Sequence, residues 1–263
     1  MTVLDVDHIS ISFGGLKAVS NFNLTLHQGE LVGLIGPNGA GKTTVFNMLT
    51  GVYRPTEGTI LLNNKLNQPS TLIGLEPYQI TQLGMARTFQ NIRLFKDLTV
   101  LDNVRIAFHF NVKYNWFDGI FRTPAYSREE TQITEKATKL LKIFNIDHKS
   151  AERAKNLPYG EQRKLEITRA LATNPKLLLL DEPAAGMNPQ ETQDLMRLIS
   201  FIRQEFDLTI LLIEHDMSLV MGICERILVL DYGQTIAEGT PSQISKDPKV
   251  IKAYLGEEAA PGA

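Results

Sequence analysis

Gly36-Pro37-Asn38-Gly39-Ala40-Gly41-Lys42-Thr43 reads G-x-x-x-x-G-K-T, a spacing in which successive backbone N–H groups turn inward on phosphate oxygens. Upstream lies the apolar run Leu31-Val32-Gly33-Leu34-Ile35, which predicts a buried strand over residues 30–35. Downstream, residues 42–50 predict a helix, with Gly51 standing where a C-terminal cap glycine belongs. An ordinary glycine turn requires neither flank. Strand, loop and helix in that order make the stretch a phosphate site, and the nucleotide-contacting set runs Gly36, Pro37, Asn38, Gly39, Ala40, Gly41, Lys42, Thr43 and Thr44. The helix N-terminus contributes roughly half a positive charge. Lys42 adds a full charge aimed at the outer phosphates, and the Thr43 hydroxyl is an oxygen ligand of the kind Mg2+ takes.

The chain around this loop has 263 residues, 43% of them hydrophobic, enough for one large α/β domain or a core with a small subdomain. Lys plus Arg total 27 and Asp plus Glu 29, a net charge of −2 that gives no basic excess for a nucleic-acid partner. The single cysteine, Cys224, cannot form an internal disulfide and fits a reducing compartment. Beside Ile223 in an apolar, helix-like segment it reads as a packed thiol. The N-terminus lacks the pattern of a signal peptide, and no apolar run is long enough to span a membrane.

Alternating apolar positions predict half-exposed strands over residues 3–11 and 18–28, separated by Phe13-Gly14-Gly15. Residues 58–62 predict a strand that ends at Asn63-Asn64. Residues 76–83 predict a helix with Pro77 in its first turn, and residues 85–90 a strand running into a loop. From about 91 to 158 the pattern turns helical. Thr99 to Asp102 form a capping box opening a helix through Phe110, and Ser127 to Glu130 form a second box. Beyond that second box Ile133, Ala137, Leu140, Leu141 and Phe144 share one helical face. Residues 114–121 are aromatic-rich; they either pack on their own subdomain or touch a membrane or partner. The α/β pattern returns with a helix over 161–173, a buried strand over 176–180, a helix over 189–206, strands over 208–213 and 226–230, a turn at Tyr232-Gly233 and a last helix near 250–255.

The strand over 176–180 runs into Asp181-Glu182. A second strand must bring a carboxylate beside the phosphate loop to hold Mg2+, and Asp181 meets that need. Glu182 is placed to polarise water against the terminal phosphate, a contribution of about 10²–10⁴ in rate for general-base action.

Gln90 after Thr88-Phe89, Tyr159-Gly160-Glu161-Gln162 ahead of a helix, Asp181-Glu182, and His215 after Ile213-Glu214 occur in this order. The chain resembles an ABC-type ATP-binding cassette over essentially its whole length. The resemblance implies a phosphate-loop ATPase core with an antiparallel β subdomain and an inserted α-helical subdomain: core and β subdomain over 1–90 and 159–240, helical subdomain over 91–158, C-terminal helix and tail over 241–263. It matches Phe13 to the aromatic that stacks on adenine, with a core phenylalanine an equal alternative. It matches Gln90 to the glutamine that reaches Mg2+ and the attacking water, and His215 to the histidine that contacts the terminal phosphate. Mg2+ would then be held by Thr43, Gln90 and Asp181. Tyr159, Gly160 and Glu161 match the signature that binds ATP on an opposing protomer, so the cassettes work as head-to-tail pairs, homo- or heterodimeric.

Pro158 stands where the usual signature has serine, and Asn188 where aspartate is common. These departures, with Phe13 to Val19, Arg87 to Gln90, Leu165-Glu166-Ile167, Ala184 to Pro189, Glu214 to Met217 and Val250 to Gly256, resemble the LivG-type ATP-binding subunits of branched-chain amino acid importers. That resemblance implies a peripheral ATPase on the cytoplasmic face of the plasma membrane, membrane-spanning permease subunits, and indirectly a periplasmic or extracellular substrate-binding protein. The rivals are a related cassette for urea, amides or lipopolysaccharide export, a soluble ABC ATPase acting on DNA or ribosomes, and a phosphate-loop kinase. The last two lack, respectively, a second cassette or coiled-coil insertion in this chain, and an explanation for Gly160 and His215.

Overall fold

The computed structural model describes residues 1–109, 112, 116–121 and 123–255. It divides into two compact units, one made of Met1–Gln90 with Lys176 onward and the other of Asn91–Pro175.

The first unit begins with β1 (Thr2–Phe13), β2 (Leu16–His27), β3 (Leu31–Ile35), α1 (Lys42–Leu49), β4 (Glu57–Asn63), β5 (Pro69–Thr71), α2 (Pro77–Leu83) and β6 (Met85–Arg87). The second unit contributes α3 (Val100–Phe108), α4 (Trp116–Phe121), α5 (Pro124–Ile143) and α6 (Tyr159–Leu171). The first unit resumes with β7 (Leu177–Asp181), α7 (Pro189–Glu205), β8 (Thr209–Ile213), α8 (Met217–Ile223), β9 (Arg226–Asp231), β10 (Gln234–Gly239), α9 (Pro241–Ile244) and α10 (Pro248–Leu255).

Two sheets build the first unit. One is antiparallel, in the order β2-β1-β4-β5; the other has the order β10-β9-β3-β8-β7-β6. Within the second sheet β6, β7, β8, β3 and β9 run parallel, and β10 closes the edge antiparallel to β9. Strands β3, β7 and β8 are buried at every position. That explains why they read as unbroken apolar runs, whereas β1 and β2 alternate. The core joins Leu4, Ile9 and Phe22 of the antiparallel sheet to Phe46 and Leu49 of α1 and to Leu34, Leu179, Leu211 and Leu228 of the other sheet. Each such side chain contributes about 1.5–3 kcal/mol through burial. The β9–β10 turn holds Tyr232 at φ 43° and Gly233 at φ 76°, the double left-handed geometry of a tight hairpin. The sequence reading does not predict β5, β10 or α9: β5 and α9 span only Pro69–Thr71 and Pro241–Ile244, and β10 lacks the apolar run of its neighbour β9.

In the second unit the Thr99 cap forms as expected, its hydroxyl accepting from the Asp102 N–H at 3.0 Å. Its helix ends at Phe108, and Phe110 lies outside the described residues, as do 114 and 115 of the aromatic segment. Within that segment Ile120 and Phe121 on α4 are exposed. The expected box at Ser127 is corrected: α5 starts earlier, with Thr123 as N-cap and Pro124 in its first turn. Proline's fixed φ is pre-organised for that position, so Ser127 falls inside the helix. Ile133, Ala137, Leu140 and Leu141 form its buried face. The expected boundary at Pro158 also differs. The helical unit extends to Pro175, with α6 packed on α3 and α5.

Candidate active site

The phosphate loop leaves the end of β3 and closes onto α1. Gly36 has φ 150°, and a Cβ there would sit 2.0 Å from the Leu230 carbonyl oxygen. Gly41, the N-cap of α1, has φ 104°, with the Ala18 carbonyl oxygen 2.9 Å from where its Cβ would be. The loop is thus wedged between β2 and β9, and only glycine fits both places. Lys42 is buried and donates from Nζ to the carbonyls of Gly36 at 2.7 Å and Pro37 at 2.9 Å. Burial lowers its pKa, opposed by the negative charges of Glu182 and Asp181. Asn38, Gly39 and Thr43 remain exposed on the loop and Thr44 is half-buried.

The two adjacent carboxylates at the end of β7 have different surroundings. Asp181 is buried, and its Oδ2 accepts from Arg87 Nη2 at 2.7 Å. Arg87 also donates from Nη1 to Asn47 at 2.8 Å and Thr50 at 3.1 Å, and it lies over the rings of Phe46 and Phe89. Glu182 has φ 47°, a left-handed conformation costly for a glutamate. Its N–H donates to the Ile213 carbonyl at 2.9 Å. Its Oε2 accepts from Gln90 Nε2 at 2.6 Å and its Oε1 from His215 Nε2 at 2.8 Å. One carboxylate therefore gathers Gln90 and His215, which the family resemblance matched to Mg2+ with the attacking water and to the terminal phosphate.

Behind His215, the buried Glu214 accepts the N–H groups of Ala184 at 2.7 Å and His215 at 3.0 Å. Burial pushes its pKa up, and the backbone bonds oppose that rise. Phe13 is exposed rather than part of the core, and it meets Tyr53 edge-on with ring centroids 5.2 Å apart. Asn188 caps α7 in a reciprocal box with Glu191.

Tyr159, Gly160 and Glu161 belong to the other unit, where they open α6. Pro158 is the N-cap and supplies no side-chain bond. Glu161 is held by Lys149, whose Nζ lies 2.8 and 2.7 Å from its two oxygens.

Three residues were missed from sequence. Arg87 could have been noticed as a lone cation ending an apolar strand. Glu214 directly precedes His215. Tyr254, on α10, has its hydroxyl pKa raised by burial and receives the Gly36 N–H; nothing in the sequence tied the last helix to the loop. A cavity of about 580 Å³ lies between the two, lined by Asn38, Gly39, Tyr232, Lys249 and Ala253 among others.

A phosphate loop at a parallel strand end, with a buried aspartate and a bridged glutamate on the strand of the same sheet that follows the inserted helices, defines a nucleotide-binding ATPase core. The ABC transporter family model matches residues 19–185, and the chain belongs to that family as an ATP-binding cassette. A second model, the branched-chain amino acid ATP-binding cassette transporter, matches residues 234–260. The chain is 49% identical over 97% of its length, and 98% of the relative's, to the high-affinity branched-chain amino acid transport ATP-binding protein LivG of Escherichia coli. It is 35% identical, over 98% and 99%, to the lipopolysaccharide export system ATP-binding protein LptB of Haemophilus influenzae. Among solved structures it resembles the ADP conformation of MJ1267, an ATP-binding cassette of an ABC transporter, with TM-score 0.83 and 32% identity over 98% of this chain and all of that one. Among the described residues no helix is long and apolar enough to cross a membrane.

Proposed function

We propose that this cassette hydrolyses ATP to power import of branched-chain amino acids, with Glu182 as the base that polarises the attacking water. The observation that carries the reading is the bridged carboxylate: Gln90 and His215 each donate to one oxygen of Glu182. Both donors hold the carboxylate in one orientation despite its strained backbone. Lys42 and the N–H groups of the loop would bind the phosphates, and the exposed Phe13 would stack on the base.

Mg2+ fits the donor set. Thr43 and Asp181 offer the oxygen ligands it prefers, and a magnesium ion bound mainly by phosphates and water needs few from protein. When bound, Mg2+ would offset charge on the outer phosphates. Thr43, Asp181 and Gln90 are its proposed ligands.

The working form is a head-to-tail pair, homo- or heterodimeric, in which Tyr159, Gly160 and Glu161 of one protomer face the nucleotide held by the other. The free N–H groups opening α6 suit a phosphate there. The pair would sit on permease subunits at the cytoplasmic membrane face and respond to a substrate-binding protein outside. The C-terminal match over 234–260 favours branched-chain cargo, and the lower identity to the lipopolysaccharide export relative makes that the second reading.

Labelled leucine uptake in cells deleted for this protein, with other leucine carriers blocked, tests the cargo. Uptake should vanish and return with the wild-type gene but not with Glu182→Gln. Unchanged uptake would reject this cargo while leaving the ATPase reading in place.

A further inference from the structure

Phe13 ends β1 and pairs with Leu16 across the turn of the β1–β2 hairpin. Strand β4 flanks β1 only from Leu4 to Ser10, so the hairpin runs on past it as a two-stranded tip. Every residue from Ser12 to Lys17 is exposed, and two strands by themselves are marginally stable in water. Lys17 reaches Glu57 of β4 at 4.0 Å in an exposed ion pair, a contact of the kind that adds little. The Phe13 ring has a firmer neighbour. Tyr53 meets it edge to face, with centroids 5.2 Å apart and planes at 69°. Such a partner covers at most one face of a ring. Phe13 keeps the other open and is 46% exposed.

Tyr53 comes from a different part of the first unit, the turn that follows α1. Its N–H and that of Val52 both donate to the Asn47 carbonyl of α1, at 3.0 and 2.9 Å. The Asn47 side chain accepts in turn from Arg87 at 2.8 Å. Gly51 in the same turn has φ 75°, and a Cβ there would lie 2.5 Å from the Leu75 carbonyl oxygen. The turn therefore has a fixed seat at the C-terminal end of the helix whose N-terminal end closes the phosphate loop.

We infer that Tyr53 is a positioning residue for the nucleotide base: it holds the Phe13 ring at the hairpin tip with one face open for stacking. A ring that swings freely must be ordered each time a nucleotide binds, and that ordering weakens affinity. A ring already held by Tyr53 avoids the loss. The same contact ties the base end of the site to α1, which carries the phosphate end. The inference rests on the stacking of Phe13 on the base proposed above.

The contact is one of rings, so phenylalanine at position 53 preserves it and leucine does not. Tyr53 is partly exposed and its bond to Asn47 is made by the backbone, so both exchanges should fold. Affinity for ADP, which gives no turnover, is read by titration calorimetry on the full chain. Tyr53→Leu should weaken it about fivefold, the middle of the range for an aromatic pair, and Tyr53→Phe by less than about twofold. Phe13→Ala should weaken it at least about fivefold, as loss of base stacking does. With Phe13→Ala in place, Tyr53→Leu should change affinity by less than about twofold, because the two residues act as one unit. No loss in Tyr53→Leu, equal losses in the leucine and phenylalanine exchanges, or the same loss with and without Phe13 would overturn the inference and leave the stacking reading standing. Unchanged affinity in Phe13→Ala would overturn the stacking reading and the inference with it.

Discussion

Arg87 and Asp181 form a buried ion pair, 2.7 Å from Nη2 to Oδ2, with side-chain exposures of 7% and 5%. The aspartate proposed to face Mg2+ thus has a protein counter-ion already in place. Removing one partner of such a pair leaves the other charge buried, a loss of about 3–5 kcal/mol. Arg87→Met should lower stability by that order in urea unfolding without ligand. Mg2+ with ATP should narrow the gap, because the added cation takes over part of the missing charge. An equal gap with and without Mg2+ and ATP would mean that Asp181 does not face the metal.

Glu182→Gln should leave ATP affinity intact and reduce single-turnover hydrolysis by about 10²–10⁴. The amide keeps the shape of the carboxylate but cannot accept from Gln90 and His215 together while polarising water. Hydrolysis near the wild-type rate in this variant would remove Glu182 from the role of base.

Pro158→Ser should stabilise the chain. The N-cap of α6 has no side-chain acceptor, and serine supplies one, a gain of about 0.5–2 kcal/mol measurable by urea unfolding. The same hydroxyl should raise ATPase activity of the assembled pair if the signature contacts the terminal phosphate. Unchanged ATPase would mean that the backbone N–H groups suffice.

Cys224 is buried, and its thiol pKa is pushed up from 9.0 to about 12 by burial, with Glu225 adding to the rise and Arg203 opposing it. Its Sγ packs against Gly33, 3.1 Å from where a Cβ would lie. Native protein near neutral pH should resist iodoacetamide and react once unfolded; rapid native labelling would contradict this packing. The unfolded thiol ionises first as pH rises. Its contribution to stability is therefore whole below about 9 and is lost as pH climbs toward about 12, which a Cys224→Ala comparison would isolate.

Much of the first unit was legible because its local signals agree. Fully buried β3, β7 and β8 announce themselves by unbroken apolar runs, and Gly36 to Thr43 by a spacing that few other structures require. The start of α5 was misplaced because two sequences nearby can cap a helix, Thr123-Pro124 and Ser127 to Glu130, and only packing chooses. Assignment of α6 to the helical unit depends on its packing with α3 and α5, which no local pattern encodes. Arg87 and Tyr254 escaped notice for the same reason: their partners, Asp181 and Gly36, are distant in the chain, and pairings of that kind are set by the folded topology.

The six-stranded sheet is assembled from two stretches of chain separated by the whole Asn91–Pro175 insertion. During synthesis the phosphate loop emerges early, on β3, whose neighbours β8 and β9 come only much later. A ribosome-bound chain that ends before β7 carries Lys42 and Thr43 but neither Asp181 nor Glu182. The strand that carries the loop therefore gains both of its sheet partners only late in synthesis, so the loop's anchorage against β9 depends on chain made after the whole insertion.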